Sequence, residues 1–168
     1  MANDTKIESL VKQLSSKDGD ARQKARLALV DIGKEATLPL TTLLTEKDKQ
    51  TRWEAAKALV AIADPAAIPA LIKAMNDDIF DVRWLISEAL VALGVDSVIP
   101  LLETLRTNSD KLYVREEAHH VLKYILRDSP QAIELKTILK PVIDALESST
   151  AAISTPGAVQ TALAKLKH

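Results

Sequence analysis

Two markers recur in this chain at one spacing, and together they restrict the fold more than any other feature. Arg22, Arg52, Arg83 and Arg115 are separated by 30, 31 and 32 residues. Pro39, Pro69 and Pro100 are separated by 30 and 31. A period of this length belongs to arrays of helical hairpins, in which each unit buries its apolar face only against its neighbours. The segment from Asp78 to Gly94 shows the pattern best: acidic residues, then Val82-Arg83, then Ala89-Leu90, then a closing glycine. The segment from Asp48 to Ala63 repeats it one unit upstream.

Within each unit the apolar spacing is helical. Ile7, Leu10, Val11 and Leu14 follow i, i+3, i+4, i+7, the signature of one buried face. Asp18 or Asp20 is placed to cap the next helix, and Gly33 to end it. Pro39, Pro69 and Pro100 fall near the starts of first helices, where a missing N–H costs no hydrogen bond. Hydrophobic residues make up 47% of the chain and aromatics only 3%, so the core must be built from Leu, Ile, Val and Ala. The expected fold is all-α: an α-solenoid of about five antiparallel helix pairs. The units fall near residues 4–33, 35–63, 65–94, 96–127 and 130–168, in a single domain. The last unit lacks the arginine and carries Pro141. Its final helix is expected to start at Thr155-Pro156 after a linker, and the unit reads as a degenerate cap.

Composition excludes several functions. The 168-residue chain has a net charge of −1, which supplies no field for gathering nucleic acid. Cysteine is absent, so there are no disulfides or thiolate metal sites. The N-terminus carries no basic segment followed by an apolar run, and no uninterrupted apolar run approaches the ~20 residues of a membrane span. A cytoplasmic protein with no membrane partner and no cofactor is expected.

The spacing resembles the short HEAT-like repeats of phycobilisome lyase-type proteins, best matched at Val82-Arg83 through Ala89-Leu90 and Thr51-Arg52 through Ala58-Leu59. The resemblance implies that the antiparallel helix pairs stack into a right-handed α-solenoid, the armadillo-type superhelix. It also implies a structural ladder that pairs Asp48 with Arg52 and Asp78 with Arg83, and more loosely Asp18 with Arg22 and Asp110 with Arg115. A partly buried arginine needs such carboxylate or carbonyl partners.

Counting from each arginine, positions three, six, seven and ten are apolar and read as core. Positions one, five and nine form a separate stripe, which the resemblance places on the concave side. The stripe holds Trp53 and Lys57 in the second unit, Trp84 and Glu88 in the third, and Glu116, His120 and Tyr124 in the fourth. Leu85 borders it. Both tryptophans of the chain fall in one column. They read either as groove-filling core or as an aromatic binding surface, since tryptophan is enriched at hot spots. The expected function is a non-catalytic protein- or peptide-binding scaffold with an aromatic concave face. The alternative is a bilin or tetrapyrrole lyase-type subunit or chaperone. DNA binding, suggested by a likeness of Trp53, Trp84 and Glu88 to HEAT-like DNA glycosylases, ranks lower because Lys57 is the stripe's only base. A homodimer through an unfinished solenoid end is a further expectation.

Chemistry has little support. Glu116 and His120 share a helix face, with Glu88 one unit away, but an ordinary surface ion pair is the better reading. His119 is expected at a helix interface. The diiron deoxyhypusine hydroxylases also resemble this repeat and use His-Glu pairs at the start of second helices. The corresponding places here read Trp53-Glu54, Trp84-Leu85 and Glu116-Glu117, without the histidines.

Overall fold

A computed structural model describes residues 2–128 and 132–167. Every described element is helical, which agrees with the expected all-α class of antiparallel helix pairs. Residues 1–92 and 93–168 form two compact units.

The first unit contains α1 (Ala2–Gln13), α2 (Gly19–Ile32), α3 (Thr37–Leu43), α4 (Lys49–Ile62), α5 (Ile68–Ala74) and most of α6 (Phe80–Leu93). Hairpin partners α1–α2 and α3–α4 pack together, first helices stack α1 on α3 on α5, and α2 stacks on α4. The core is aliphatic, as the scarcity of aromatics requires: Leu14, Leu29, Leu40, Leu59, Leu71, Met75, Ile86 and Leu90 are fully buried. The positions counted from the arginines as core are buried or half-buried throughout.

Asp18 caps α2 by accepting from the Asp20 amide at 2.9 Å. Asp48 caps α4 by accepting from the Thr51 amide at 2.8 Å and from its hydroxyl at 2.7 Å. Those bonds, the hydroxyl's first, hold the Asp48 carboxyl below its ordinary range. Gly33 ends α2 with φ +74°. The equivalent place after α4 is Ala63, at φ +47° in the left-handed region. An L-residue with a Cβ is strained there by about 1–2 kcal/mol. Ala63→Gly is therefore expected to raise stability by about 0.5–1 kcal/mol after the added freedom of the unfolded chain is deducted. Chemical denaturation midpoints at unchanged m-value check this.

The repeat arginine has one constant task. Arg22, Arg52, Arg83 and Arg115 each direct Nη1 to the main-chain carbonyl six residues earlier, at Ser16, Glu46, Asp77 and Ser109. These carbonyls lie in the turn between the two helices of a unit. The guanidinium fork has five donors, so it ties the turn to the second helix and retains donors for carboxylates. For Arg22 and Arg52 those carboxylates differ from the expected pairing. Asp48 is occupied by its cap, and Arg52 instead reaches into the next repeat. Its Nε donates to Asp77 Oδ2 at 2.6 Å, and its Nη2 to Asp77 Oδ1 at 3.0 Å and Asp78 Oδ1 at 2.8 Å. Arg22 likewise pairs forward, through Nε to Glu54 Oε1 at 3.3 Å. Arg22 and Arg52 thus each join their own repeat to the next.

By length and mean hydropathy alone, Phe80–Asn108 qualifies as a membrane span, although the sequence reading found no such run. Gly94, at φ +60°, and a 3-10 turn over Gly94–Ser97 divide it into α6 and α7. Half of the apolar window is buried within the fold, as in core helices of a stacked array.

The second unit contains α7 (Val98–Asn108), α8 (Leu112–Asp128), α9 (Ala132–Glu147) and α10 (Ala151–Leu166). Ser129 and Pro130, read as the start of the last repeat, lie outside the described residues. The terminal hairpin does not continue the stacking order of the first unit: α9 packs on α8, and α10 packs on both α9 and α7. Its two helices are thus exchanged relative to a regular repeat. The expected start of the last helix is also corrected. Thr155 is no cap but a buried residue inside α10, which begins at Ala151. Pro156 lies inside that helix and removes the amide that would bond the Ala152 carbonyl. Ser109 Oγ replaces it, donating to Ala152 O at 3.0 Å. Ser109→Ala should cost about 1–2 kcal/mol by stranding that carbonyl. In a Pro156→Ala background, where a helix amide is restored, the cost should fall below about 0.5 kcal/mol. A double-mutant cycle on urea midpoints measures the difference.

Candidate functional site

The first unit exposes one helical face that its packing does not use. On α4 and α6 the core positions point inward, and the stripe one, five and nine residues after each arginine stays at least partly in solvent. Trp84 is 43% exposed, and its helix neighbour Phe80 is 61% exposed. The two rings lie tilted at a centroid distance of 6.5 Å. Trp53 is half-buried. It lines a groove of about 380 Å³ with Lys49, Gln50, Ile79, Asp81 and Val82. Lys57 is half-buried, with its Nζ 4.3 Å from the Trp53 ring centroid, a cation–π contact. Leu85 and Glu88 are half-buried, and Ala61 and Ala92 are exposed. Neither tryptophan is a fully buried core residue.

Phe80 was missed in the sequence reading. It lies four residues before Trp84, so i, i+4 spacing was the signal that places it on the same face.

Beneath this face the polar contacts are satisfied. Glu54, next to Trp53, has a side chain only 5% exposed. It accepts from Arg22 Nε, from Arg26 Nε at 2.9 Å and from Gln50 Nε2 at 3.3 Å. Asp77, with 6% side-chain exposure, sits against Arg52. Burial alone would raise the Asp77 carboxyl. The Arg52 hydrogen bonds and the Ile79 amide outweigh that and hold it below the ordinary carboxylate value.

The second unit carries the remaining stripe residues. Glu116 is exposed, and His120 and Tyr124 are half-buried. Their rings stack at a centroid distance of 4.4 Å, with the Arg127 guanidinium carbon 4.3 Å from the Tyr124 centroid. His119 occupies a helix interface as expected, with Nε2 2.9 Å from Glu147 Oε1 between α8 and α9. That bond, with Lys123 at 3.3 Å, lowers the Glu147 carboxyl. Among the described residues no group of three or more His, Asp or Glu side chains is gathered for a metal ion.

Residues 37–123 match the HEAT-repeat family. This chain is a HEAT-repeat protein. A deoxyhypusine hydroxylase from Candida albicans is 27% identical over 139 residues, covering 80% of this chain. The match spans only 43% of that relative's length. Among solved structures, the complex of CpcE and CpcF of phycocyanin lyase from Nostoc sp. PCC7120 is similar with a TM-score of 0.60 at 24% identity. That likeness covers 94% of this chain and 98% of the other, and it is a likeness of fold.

The residues of this HEAT-repeat protein do not fit the metal pair that resemblance to the hydroxylases implies. Trp53 and Trp84 stand where ligating histidines are expected, and Glu54 is bound by Arg22 and Arg26. A carboxylate already neutralised by two guanidiniums is a poor ligand for a further cation.

Proposed function

We propose that this HEAT-repeat protein is a non-catalytic scaffold whose first compact unit binds a protein or peptide through the face carrying Trp53, Trp84 and Phe80. The observation that carries the reading is Trp84 itself. A chain that builds its whole core from aliphatic residues leaves one of its two indoles 43% exposed, beside an exposed phenyl ring. Exposed neighbouring aromatics contribute large contact area at low entropic cost, which is why they anchor interfaces. The groove beside Trp53 adds a recess for a side chain, and Lys49 and Asp81 on its walls provide charges that set register.

Site-specific photo-cross-linking tests this. A benzophenone side chain introduced at Ala61 or Ala92, both exposed on the stripe, is expected to trap a discrete partner in extract of the native source. One at Lys73, exposed on α5, is expected to trap none. Equal trapping from Lys73 would overturn the reading. A saturable absorbance change on titration with a bilin, lost on replacing both tryptophans, would instead favour a tetrapyrrole ligand.

A further inference from the structure

Two opposite charges line the groove beside Trp53 and do not meet across it. Lys49 stands on the first turn of α4 and Asp81 on the first turn of α6. Both are exposed, and among the described residues neither side chain has an ion-pair or hydrogen-bond partner. Lysines elsewhere on the surface do find carboxylates: Lys140 bonds Asp144 at 2.8 Å and Lys167 bonds Glu103 at 2.7 Å. The rest of the lining is Trp53, Ile79, Val82 and Gln50, mostly apolar. Lys57 is already engaged with the Trp53 ring, so the indole needs no cation from outside, and the lining suits an aliphatic side chain. Gln50 donates its side-chain amide to Glu54 at 3.3 Å, which leaves the amide oxygen as an acceptor. A wholly apolar segment closing over this groove would take the Lys49 ammonium and the Asp81 carboxylate out of water with nothing in exchange, at a net cost. A segment of one charge would satisfy one wall and oppose the other.

We propose that this groove recognises an extended segment of a partner polypeptide in which an aliphatic residue has an acidic residue two positions to one side and a basic residue two positions to the other. The inference rests on the binding-face reading above and specifies the partner's chemistry. In an extended chain, side chains two apart point to the same face, and the outer two of such a trio stand about 13 Å apart. Neighbouring packed helices lie about 8–10 Å apart, so the trio spans the groove with its side chains making up the difference. The aliphatic side chain enters against Trp53, Ile79 and Val82. The acid accepts from Lys49, the base donates to Asp81, and the Gln50 oxygen accepts a main-chain N–H of the segment.

The test is a switch of preference. Serine heptapeptides with a central leucine, blocked ends and a neutral fluorophore carry one of four pairs two positions either side of the leucine. The pairs are glutamate with arginine, two glutamates, two arginines, or two glutamines. Binding to the full chain is followed by fluorescence anisotropy. The mixed pair is expected to bind about fivefold more tightly than each of the other three. Exchanging its central leucine for serine should weaken it about tenfold. Lys49→Glu, which leaves both walls acidic, should turn the preference to the two-arginine peptide. Asp81→Lys, which leaves both walls basic, should turn it to the two-glutamate peptide. Both positions are exposed, so both variants should fold, and far-UV circular dichroism checks that they do. The same ranking of peptides in all three proteins, or no saturable binding of the mixed peptide, would overturn the dipolar groove while leaving the binding face standing. Failure of the Ala61 and Ala92 cross-links would instead remove the face itself.

Discussion

Arg52→Ala is expected to destabilise the first compact unit by about 3–5 kcal/mol, the largest single effect foreseen. The guanidinium makes three hydrogen bonds to Asp77 and Asp78 and further bonds to the Glu46 and Lys47 carbonyls. Its removal leaves the Asp77 carboxylate, 6% exposed, without its charge partner and releases the turn between α3 and α4. Asp78 matters less, because its side chain is 83% exposed and water replaces the lost bond. The forward pairing gives the prediction a sharp form. A double-mutant cycle should show strong coupling between Arg52 and Asp77 and little between Arg52 and Asp48. Asp48→Ala should itself cost about 1 kcal/mol as a lost helix cap.

The same pair sets an acid dependence. Asp77 in the folded state titrates below its ordinary value of 3.8. A depressed carboxyl contributes stability that is full above the unfolded pKa and is lost as pH falls through the folded one. Stability of the wild-type chain should therefore decline as pH falls below about 4. The Asp77→Asn variant, being uncharged there, should show a shallower decline. Equilibrium denaturation across that range reads the slope.

The architecture was legible because two markers with separate physical causes kept one period. The prolines mark helix starts, where no amide partner is lost, and the arginines mark the carbonyls of the inter-helix turns. The pairing of the ladder was not legible. Asp48 and Asp78 both look like acids beside an arginine, and only packing shows that Asp48 caps its own helix while Asp77 and Asp78 serve the arginine of the unit before. The terminal hairpin was misread at Thr155-Pro156 for a comparable reason. A proline inside a helix looks like a helix start until Ser109, distant in sequence, is seen to supply the missing donor. At the binding face the stripe of Trp53, Lys57, Trp84 and Glu88 was visible from helical spacing alone. The degree of burial was not, since it depends on how deeply neighbouring side chains cover each indole. Phe80 was passed over because it precedes the arginine from which the stripe was counted.

The second large effect concerns binding. Replacing Trp84 with alanine should weaken capture of the partner by about 30-fold or more, the scale of an interface hot spot of 2 kcal/mol or above. The stability cost should be small by comparison. A side chain 43% exposed loses only part of its burial energy, on the order of 1–2 kcal/mol. Trp53 is half-buried beside its groove and should lose more stability and comparable binding. The two effects separate because the stack is held by other residues of the same helices: Val82, Arg83, Ile86, Ala89 and Leu90 on α6, and Arg52, Ala55, Ala58 and Leu59 on α4.

The most direct measurement pairs thermal unfolding by circular dichroism with partner capture for the Trp53→Ala/Trp84→Ala double variant. The expected result is an unchanged far-UV spectrum at 20 °C, a melting midpoint lowered by roughly 5–10 °C, and loss of capture. A variant that has lost its helical signal at 20 °C, or one that folds and captures the partner as well as the wild-type chain does, would contradict it.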